Sequence, residues 1–284
     1  EELCELAPLH NPAHLVGYRA FKEALPGVGH VFTFDTAFHQ TLDKERYLYP
    51  LPMEYYTDLK VRRYGAHGTS HKYVSEQVIE MLGKPRGSRV IVCHLGNGAS
   101  ISAVLDGKCI DTSMGFTPLA GIMMGTRSGD IDVSIVPYVM EKEGKSANEI
   151  MSDLNKKSGF LGISELSSDS RDIEDGIKEG NEKCILAEEM FVNSVVKYIA
   201  QYYVLLGKVD AICFTAGIGE NSVDARLEIV EKLACLGIKL DLEKNNVRGK
   251  FAKISADDST VEMYVVPTNE ELMIAKDTMD IINK

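Results

Sequence analysis

Two apolar runs, each ending in Gly-x-Gly, constrain this chain more than any other feature. The first is Val90-Ile91-Val92-Cys93-His94-Leu95-Gly96-Asn97-Gly98-Ala99-Ser100; the second is Ala211-Ile212-Cys213-Phe214-Thr215-Ala216-Gly217-Ile218-Gly219-Glu220-Asn221. Short apolar runs bounded by turn residues read as buried strands. A Gly-x-Gly turn behind such a strand leaves backbone amides bare, so an anion can approach them closely. Two such turns far apart along the chain are expected to form two jaws around one phosphorylated ligand. A nucleotide-handling enzyme is the first expectation.

The charge balance narrows the partners. The 284 residues carry a formal net charge of −11, which repels nucleic acid and anionic membranes, so both are set aside. An anionic substrate then needs a local cluster of Arg, Lys and amide donors. The six cysteines are scattered without a C-x-x-C pair. Several sit in apolar runs and read as small buried hydrophobes, as in a reducing cytosol, so a cytoplasmic location is expected. No run approaches the length of a spanning helix, and no signal-peptide pattern is read. Glu1 to Pro8 lacks an initiator Met and reads as the end of a helix, so the chain is expected to be part of something longer.

The periodicity predicts an α/β fold with a mixed sheet. A helix runs from Asn11-Pro12 through Leu25, and Val31–Phe34 is expected to be a short buried strand ending at Asp35. Helical spacing over Val74, Val78, Ile79 and Leu82 follows a cap at Gly68-Thr69-Ser70. Arg89–Leu95 and Ile101–Leu105 read as strands, and Asp106-Gly107 marks a hairpin returning over Lys108–Asp111. Helices follow at Ile135–Met140, Ala147–Leu154 and Ala187–Leu206. The chain then alternates: strand Val209–Thr215, helix Ser222–Leu236, strand Val261–Val266, helix Glu270–Ile282.

Several clusters carry chemistry, and each has a plainer reading. The first glycine turn is either a phosphate-binding hairpin or merely a tight one. The second lies between strand and helix, where amides and dipole favour an anion. His67-Gly68-Thr69-Ser70-His71 has metal-pair spacing, as do His10 and His14, but zinc needs further ligands. His67 is expected to precede the helix and face a cleft, with His71 on the helix, although a satisfied structural imidazole is the default for any one histidine. Arg127, in Gly125-Thr126-Arg127-Ser128-Gly129-Asp130-Ile131-Asp132, can swing its planar fork onto a phosphoryl or carboxylate group, or pair with Asp130 or Asp132. Ser167-Ser168-Asp169-Ser170-Arg171 is either a helix cap with a surface Arg or a contact to base and ribose. Glu270, in Pro267-Thr268-Asn269-Glu270-Glu271, could hold Mg²⁺ or simply favour a helix dipole.

Together, Val31 to His39, Arg62 to His71, His94 to Gly98, Gly125 to Asp130, Phe214 to Asn221 and Pro267 to Glu271 resemble the acetate kinase family, in order and along essentially the whole chain. The resemblance implies the two-domain, actin-like ATPase fold of the acetate and sugar kinase/Hsp70/actin superfamily, with ribonuclease H-like mixed sheets. It implies reversible, direct in-line phosphoryl transfer from ATP to acetate, giving ADP and acetyl phosphate, with Mg²⁺ or Mn²⁺, in a homodimer. Carried over by motif, Asp35, His67 and Arg127 are catalytic. His94, Leu95, Gly96, Asn97 and Gly98 cradle nucleotide phosphates. Asp169, Ser170 and Arg171, with Gly217, Ile218, Gly219, Glu220 and Asn221, hold the adenosine and neighbouring phosphates. Glu270 belongs to the metal site, and Leu9, Ala66 and Pro118 line the acyl pocket.

The resemblance also sets expectations about domains and substrate. Residues 1–37 are expected to be the remnant of an incomplete N-terminal domain, with helix 272–284 packing back on it, and residues 38–271 the nucleotide-binding domain. The family's opening strand and phosphate loop would precede Glu1, so the isolated chain is expected to turn over little or not at all. The family often has Phe where this chain has Ala66, which is expected to admit propionate. Rival expectations are a propionate or butyrate kinase of the same fold, a non-catalytic nucleotide-binding and dimerisation fragment, and a metalloenzyme built on the histidines.

Overall fold

The computed structural model describes residues 11–283. Its centre is one six-stranded sheet. β1 (Arg89–Leu95), β2 (Ala99–Leu105), β3 (Lys108–Thr112), β4 (Ala211–Thr215), β5 (Ala252–Lys253) and β6 (Glu262–Val265) lie in the order β3-β2-β1-β4-β6-β5. β1, β4 and β6 run parallel, while β2, β3 and β5 pair antiparallel. Connections explain the pattern: Asp106-Gly107 permits a tight hairpin, whereas β1, β4 and β6 are joined by long crossovers. The two residues of β5 had no signal in the sequence.

The helices are α1 (Asn11–Ala24), α2 (Lys44–Tyr47), α3 (Met53–Thr57), α4 (Gly68–Met81), α5 (Ile135–Glu143), α6 (Ala147–Lys156) and α7 (Gly159–Ser164). They continue with α8 (Ser170–Lys178), α9 (Glu182–Leu206), α10 (Ala216–Asn221), α11 (Val223–Lys232), α12 (Leu242–Asn245) and α13 (Glu270–Ile282). The pleat sends alternate residues to opposite faces. Val90, Val92, Val104, Ala211 and Cys213 pack under Val74 and Val78 of α4. Ile91, Cys93, Ile101, Ile212 and Phe214 share the other core with Phe191, Val195 and Ile199 of α9. Each such aliphatic side chain contributes about 1.5–3 kcal/mol by leaving water. α13 lies beside α4, where Lys72 pairs with Asp277 at 2.5 Å.

Two expectations are corrected. Val31–Phe34 forms no strand; Phe32 and Phe34 are 55% and 60% exposed. A strand needs a ladder partner, and none of the described strands lies beside this segment. The helix expected from Ser222 is preceded by α10, which begins at Ala216 and absorbs the second glycine turn. The Glu220 carboxylate causes this. Its Oε1 accepts the Ala216 N–H at 2.9 Å and the Thr268 N–H at 3.2 Å, closing a single helical turn.

Candidate active site

His67 sits where β1, β2 and α4 meet. It is the residue before α4 and adopts φ 57° and ψ 24°, the left-handed region that costs a non-glycine residue energy. The Asp35 carboxylate holds it there: Oδ2 accepts the His67 backbone N–H at 2.7 Å, and the Asp35 carbonyl accepts the Gly68 N–H at 2.8 Å. Asp35 is thereby fastened to His67 although the segment before it is irregular.

The two glycine bends adjoin. A Cβ built on Gly96 would lie 3.5 Å from the Ala216 Cβ and 4.0 Å from the Gly217 nitrogen. Gly98 has no positive φ, so its glycine is explained by close approach. A Cβ there would lie 3.3 Å from His67 Nε2 and 3.4 and 3.5 Å from the two terminal nitrogens of Arg127. His67, Arg127 and the first bend therefore converge on one small space. The Gly125 N–H donates to the Asn97 carbonyl at 3.0 Å, tying the Arg127 loop to that bend.

Arg127 is not paired with Asp130 or Asp132. Asp130 accepts from Gly121 N–H and Tyr198 O–H, and Asp132 from Ser134 N–H. Arg127 Nη1 donates to the Pro118 carbonyl at 3.0 Å, and no carboxylate among the described residues neutralises it. Its charge and its fork stay available for an anion.

The histidines are held neutral. Burial pushes His67 down to about 4, helped by the Arg127 guanidinium and by His39. Burial, then His67, pushes His94 down to about 3. The His67 and His94 rings stack, with centroids 4.2 Å apart. His67 Nδ1 lies 2.9 Å from Ser100 Oγ, and His94 Nδ1 2.8 Å from Ser70 Oγ. His71 lies between Ser100 and Ser102, so the i, i+4 histidine pair has its inner nitrogens on hydroxyls. His94 and Leu95, which lead into the bend, are both buried, Leu95 wholly.

These shifts have a consequence for stability. An unfolded histidine titrates near 6.5, well above His67 and His94 in the fold, so the unfolded chain binds more protons as pH falls. The stability they contribute is complete above about pH 6.5 and is lost as pH falls toward 4 and then 3, by up to about 1.4 kcal/mol per pH unit per histidine. Glu188, whose carboxyl burial and neighbouring acids push up to about 8, acts in the opposite sense. The comparison is therefore made by difference. His94→Gln is expected to flatten the loss of melting temperature between pH 6.5 and 4.5, and an unchanged slope contradicts the assignment.

A cavity of about 700 Å³ opens beside the two bends, and Asn97, Gly125, Asp169, Arg171, Gly217 and Asn221 are on its wall. Ser170 and Ile218 also line it; Gly219 and Glu220 do not. The helix-cap reading of the 167–171 segment holds. Asp169 caps α8 by accepting the Arg171 N–H at 2.9 Å and pairs with the Arg171 side chain, which holds its carboxyl down to about 2. The same residues face the cavity. Arg248, Phe160 and Glu174 join them unforeseen; Arg248 had the signal of a cation beside Gly249 and Lys250, while Phe160 had none. Arg226 is wholly buried and donates to the carbonyls of Gly219, Asn245 and Val247, bracing α10 against the segment that carries Arg248.

Glu270, half-buried at the start of α13, has its carboxyl raised first by burial, then by the Asp35 and Glu271 charges. Asp35 and Glu270 are thus electrostatic neighbours. Among the described residues no group of three or more His, Cys, Asp or Glu is placed to hold a metal alone. Ala66 is buried beside His67 and offers its carbonyl to His39. Leu9 and His10 lie outside the described residues. No described helix is long and apolar enough to cross a membrane.

The comparisons with known proteins point one way. A model of the acetokinase family matches residues 1–276. The acetate kinase of Geobacillus kaustophilus is 58% identical over 284 residues, spanning 100% of this chain and 72% of that protein. The crystal structure of Porphyromonas gingivalis acetate kinase superposes with a TM-score of 0.95 at 48% identity, covering 99% of this chain and 71% of the other. A propionate kinase from Francisella tularensis superposes with a TM-score of 0.92 at 47% identity, covering 96% and 70%.

Proposed function

This chain belongs to the acetokinase family, and from that premise we propose that His67, Arg127 and the Gly96–Gly98 bend bind the phosphoryl group that passes from ATP to acetate. The fold is the actin-like α/β fold of the acetate and sugar kinase superfamily, and the chain is a phosphotransferase with a carboxylate acceptor. The observation that carries the site assignment is the convergence of His67 Nε2 and the Arg127 guanidinium over Gly98.

The chemistry follows from charge. Acetate is ionised at neutral pH and needs no base. One of its oxygens forms a bond to the γ-phosphorus while the bond to the β–γ bridging oxygen breaks and ADP leaves. The obstacle is repulsion between a carboxylate and a polyanion, so catalysis rests on alignment and charge neutralisation. Arg127, without a carboxylate of its own, can span the acyl oxygen and the phosphoryl oxygens. Neutral His67 can donate a hydrogen bond to the same group. Asp35 fixes His67 through the backbone contact of its Oδ2. The cavity beside the bends takes the nucleotide, with Asp169–Arg171, Gly217, Ile218 and Asn221 on its wall.

Mg²⁺ fits the residues present. Mg²⁺ is usually held by one or two carboxylates, with water and phosphate oxygens completing the shell, and Asp35 and Glu270, each near enough to feel the other's charge, are the candidate carboxylates. Bound there, the ion would neutralise phosphate charge. Assembly as a homodimer belongs to the same reading, with the exposed Val133, Tyr138 and Val204 as candidate contacts. So does the division into a domain spanning residues 38–271 and a remnant spanning 1–37.

The test of function is ATP-dependent formation of acetyl phosphate, trapped as the hydroxamate; no product with the parent enzyme contradicts the reading. The similarity to a propionate kinase keeps a second reading open, in which the longer acyl chain is the better substrate. The acyl pocket is proposed at Ala66 and Pro118; the contact of the Pro118 carbonyl with Arg127 supports the second. Ala66→Phe is expected to lower the propionate-to-acetate rate ratio by about 10-fold or more, since one or two methylenes of pocket are worth about that much. An unchanged ratio places the selectivity elsewhere.

A further inference from the structure

Behind His67, imidazoles and hydroxyls alternate in a line that runs into the core. His67 Nδ1 lies 2.9 Å from Ser100 Oγ, and that oxygen lies 2.7 Å from His71 Nε2. His71 Nδ1 then lies 2.8 Å from Ser102 Oγ, where the line stops. Ser100, His71 and Ser102 are wholly buried. The strand period brings them together. Ser100 and Ser102 share the face of β2 that α4 covers, and His71 is one turn into α4.

If both rings donated to Ser100, its own hydrogen would have no acceptor in the line; with Ser100 donating to one ring and accepting from the other, proton counting leaves two arrangements. A neutral imidazole has one N–H and one lone pair, and a serine hydroxyl has a single hydrogen. Burial and three neighbouring histidines keep His71 neutral. In one arrangement Ser102 O–H donates to His71 Nδ1, His71 Nε2–H donates to Ser100 Oγ, and Ser100 O–H donates to His67 Nδ1. His67 then carries its hydrogen on Nε2, the nitrogen beside Gly98 and Arg127. In the other, every donor is reversed, and His67 carries its hydrogen on Nδ1. That order strands the Ser102 hydrogen, because Ser102 Oγ has no further partner among the described residues. A buried donor without an acceptor is rarer and costlier than an oxygen with an unused lone pair. The first order satisfies every donor in the line.

We infer that Ser102, His71 and Ser100 are positioning residues that lock His67 in its Nε2–H form, so that it meets the phosphoryl group as a donor beside the Arg127 fork. The inference rests on the proposed role of His67 for its catalytic meaning, but not for its geometry. The hydrogen bond made by one ring nitrogen commonly decides which nitrogen carries the proton, and the wrong tautomer disables an otherwise intact site.

The test is ¹⁵N NMR of the ring nitrogens in histidine-labelled protein at pH 7, with His67 assigned through His67→Gln. The expected result for the parent is a protonated Nε2 and a bare Nδ1 on His67. Ser102→Ala removes the terminal donor. It is expected to give His67 a measurable Nδ1–H population and to lower kcat about 10-fold, with the KM for ATP within about twofold of the parent. Ser102→Thr restores the hydroxyl and is expected to restore both readings. A parent His67 protonated on Nδ1 overturns the inference, as does a Ser102→Ala tautomer identical to the parent's. The parent measurement needs no variant to fold. A shifted tautomer with unchanged kcat upholds the line of donors and counts instead against His67 as the phosphoryl donor.

Discussion

Arg127→Ala is expected to lower kcat by about 10²–10³-fold while leaving the melting temperature close to the parent's. The rate effect is that of removing one preorganised donor aimed at developing charge, about 2.7–4 kcal/mol. The stability effect is small for a separate reason. Arg127 has no carboxylate partner among the described residues, and its guanidinium donates to the Pro118 carbonyl and to Met124 Sδ, so truncation strands no buried charge. Arg127→Lys keeps the charge but loses the planar fork, and is expected to recover only part of the rate. Steady-state kinetics with both substrates saturating, beside a thermal melt, separate the two effects. A loss below about tenfold would remove Arg127 from the phosphoryl site.

Gly98→Ala is expected to be nearly as damaging, by about 10²-fold in kcat, because displacements of about 1 Å in a reacting geometry cost that much. The added methyl occupies the space between His67 Nε2 and the Arg127 nitrogens, 3.3 to 3.5 Å from each. Nothing in the backbone opposes alanine there, since φ at Gly98 is not positive. The variant is therefore expected to fold, and its circular dichroism and melting curve to match the parent's. A folded variant with full activity would show that no reacting group enters that space.

The sheet was legible because its strands are short continuous apolar runs bounded by turn residues. Val90 and Val92 alternate with Ile91 and Cys93, and the Asp106-Gly107 turn fixes the hairpin, so β1 to β3 lie where the pattern puts them. Val31–Phe34 has the same local pattern and forms no strand, because a pattern cannot state whether a neighbouring strand exists. α10 was hidden for a different reason. Its two glycines read as a turn, and the contact that closes it, the Glu220 carboxylate on the Ala216 amide, is one side chain reaching back four residues.

The site was legible only in part. The residue types at His67 and Arg127 are suited to phosphoryl chemistry, but each had a plainer reading, and spacing alone could not choose. Asp130 and Asp132 stand ready in sequence to pair with Arg127 and are occupied elsewhere. The contact between Asp35 and the His67 amide spans 32 positions, a separation no local pattern encodes. The Ser100–His71–Ser102 line left a trace that was passed over. Ala99-Ser100-Ile101-Ser102-Ala103 puts two hydroxyls on one face of a buried strand, and buried hydroxyls require partners.

A double-mutant cycle on His67 and Arg127 tests most directly whether the two act on one phosphoryl group. Each alanine substitution alone is expected to lower kcat/KM for acetate by about 10²-fold or more. If both donors hold the same group, losing the second matters less once the first is gone, and the double variant falls well short of the product of the single losses. Losses that multiply in full would mean that the two side chains work independently, and would contradict the convergence over Gly98 as the seat of catalysis.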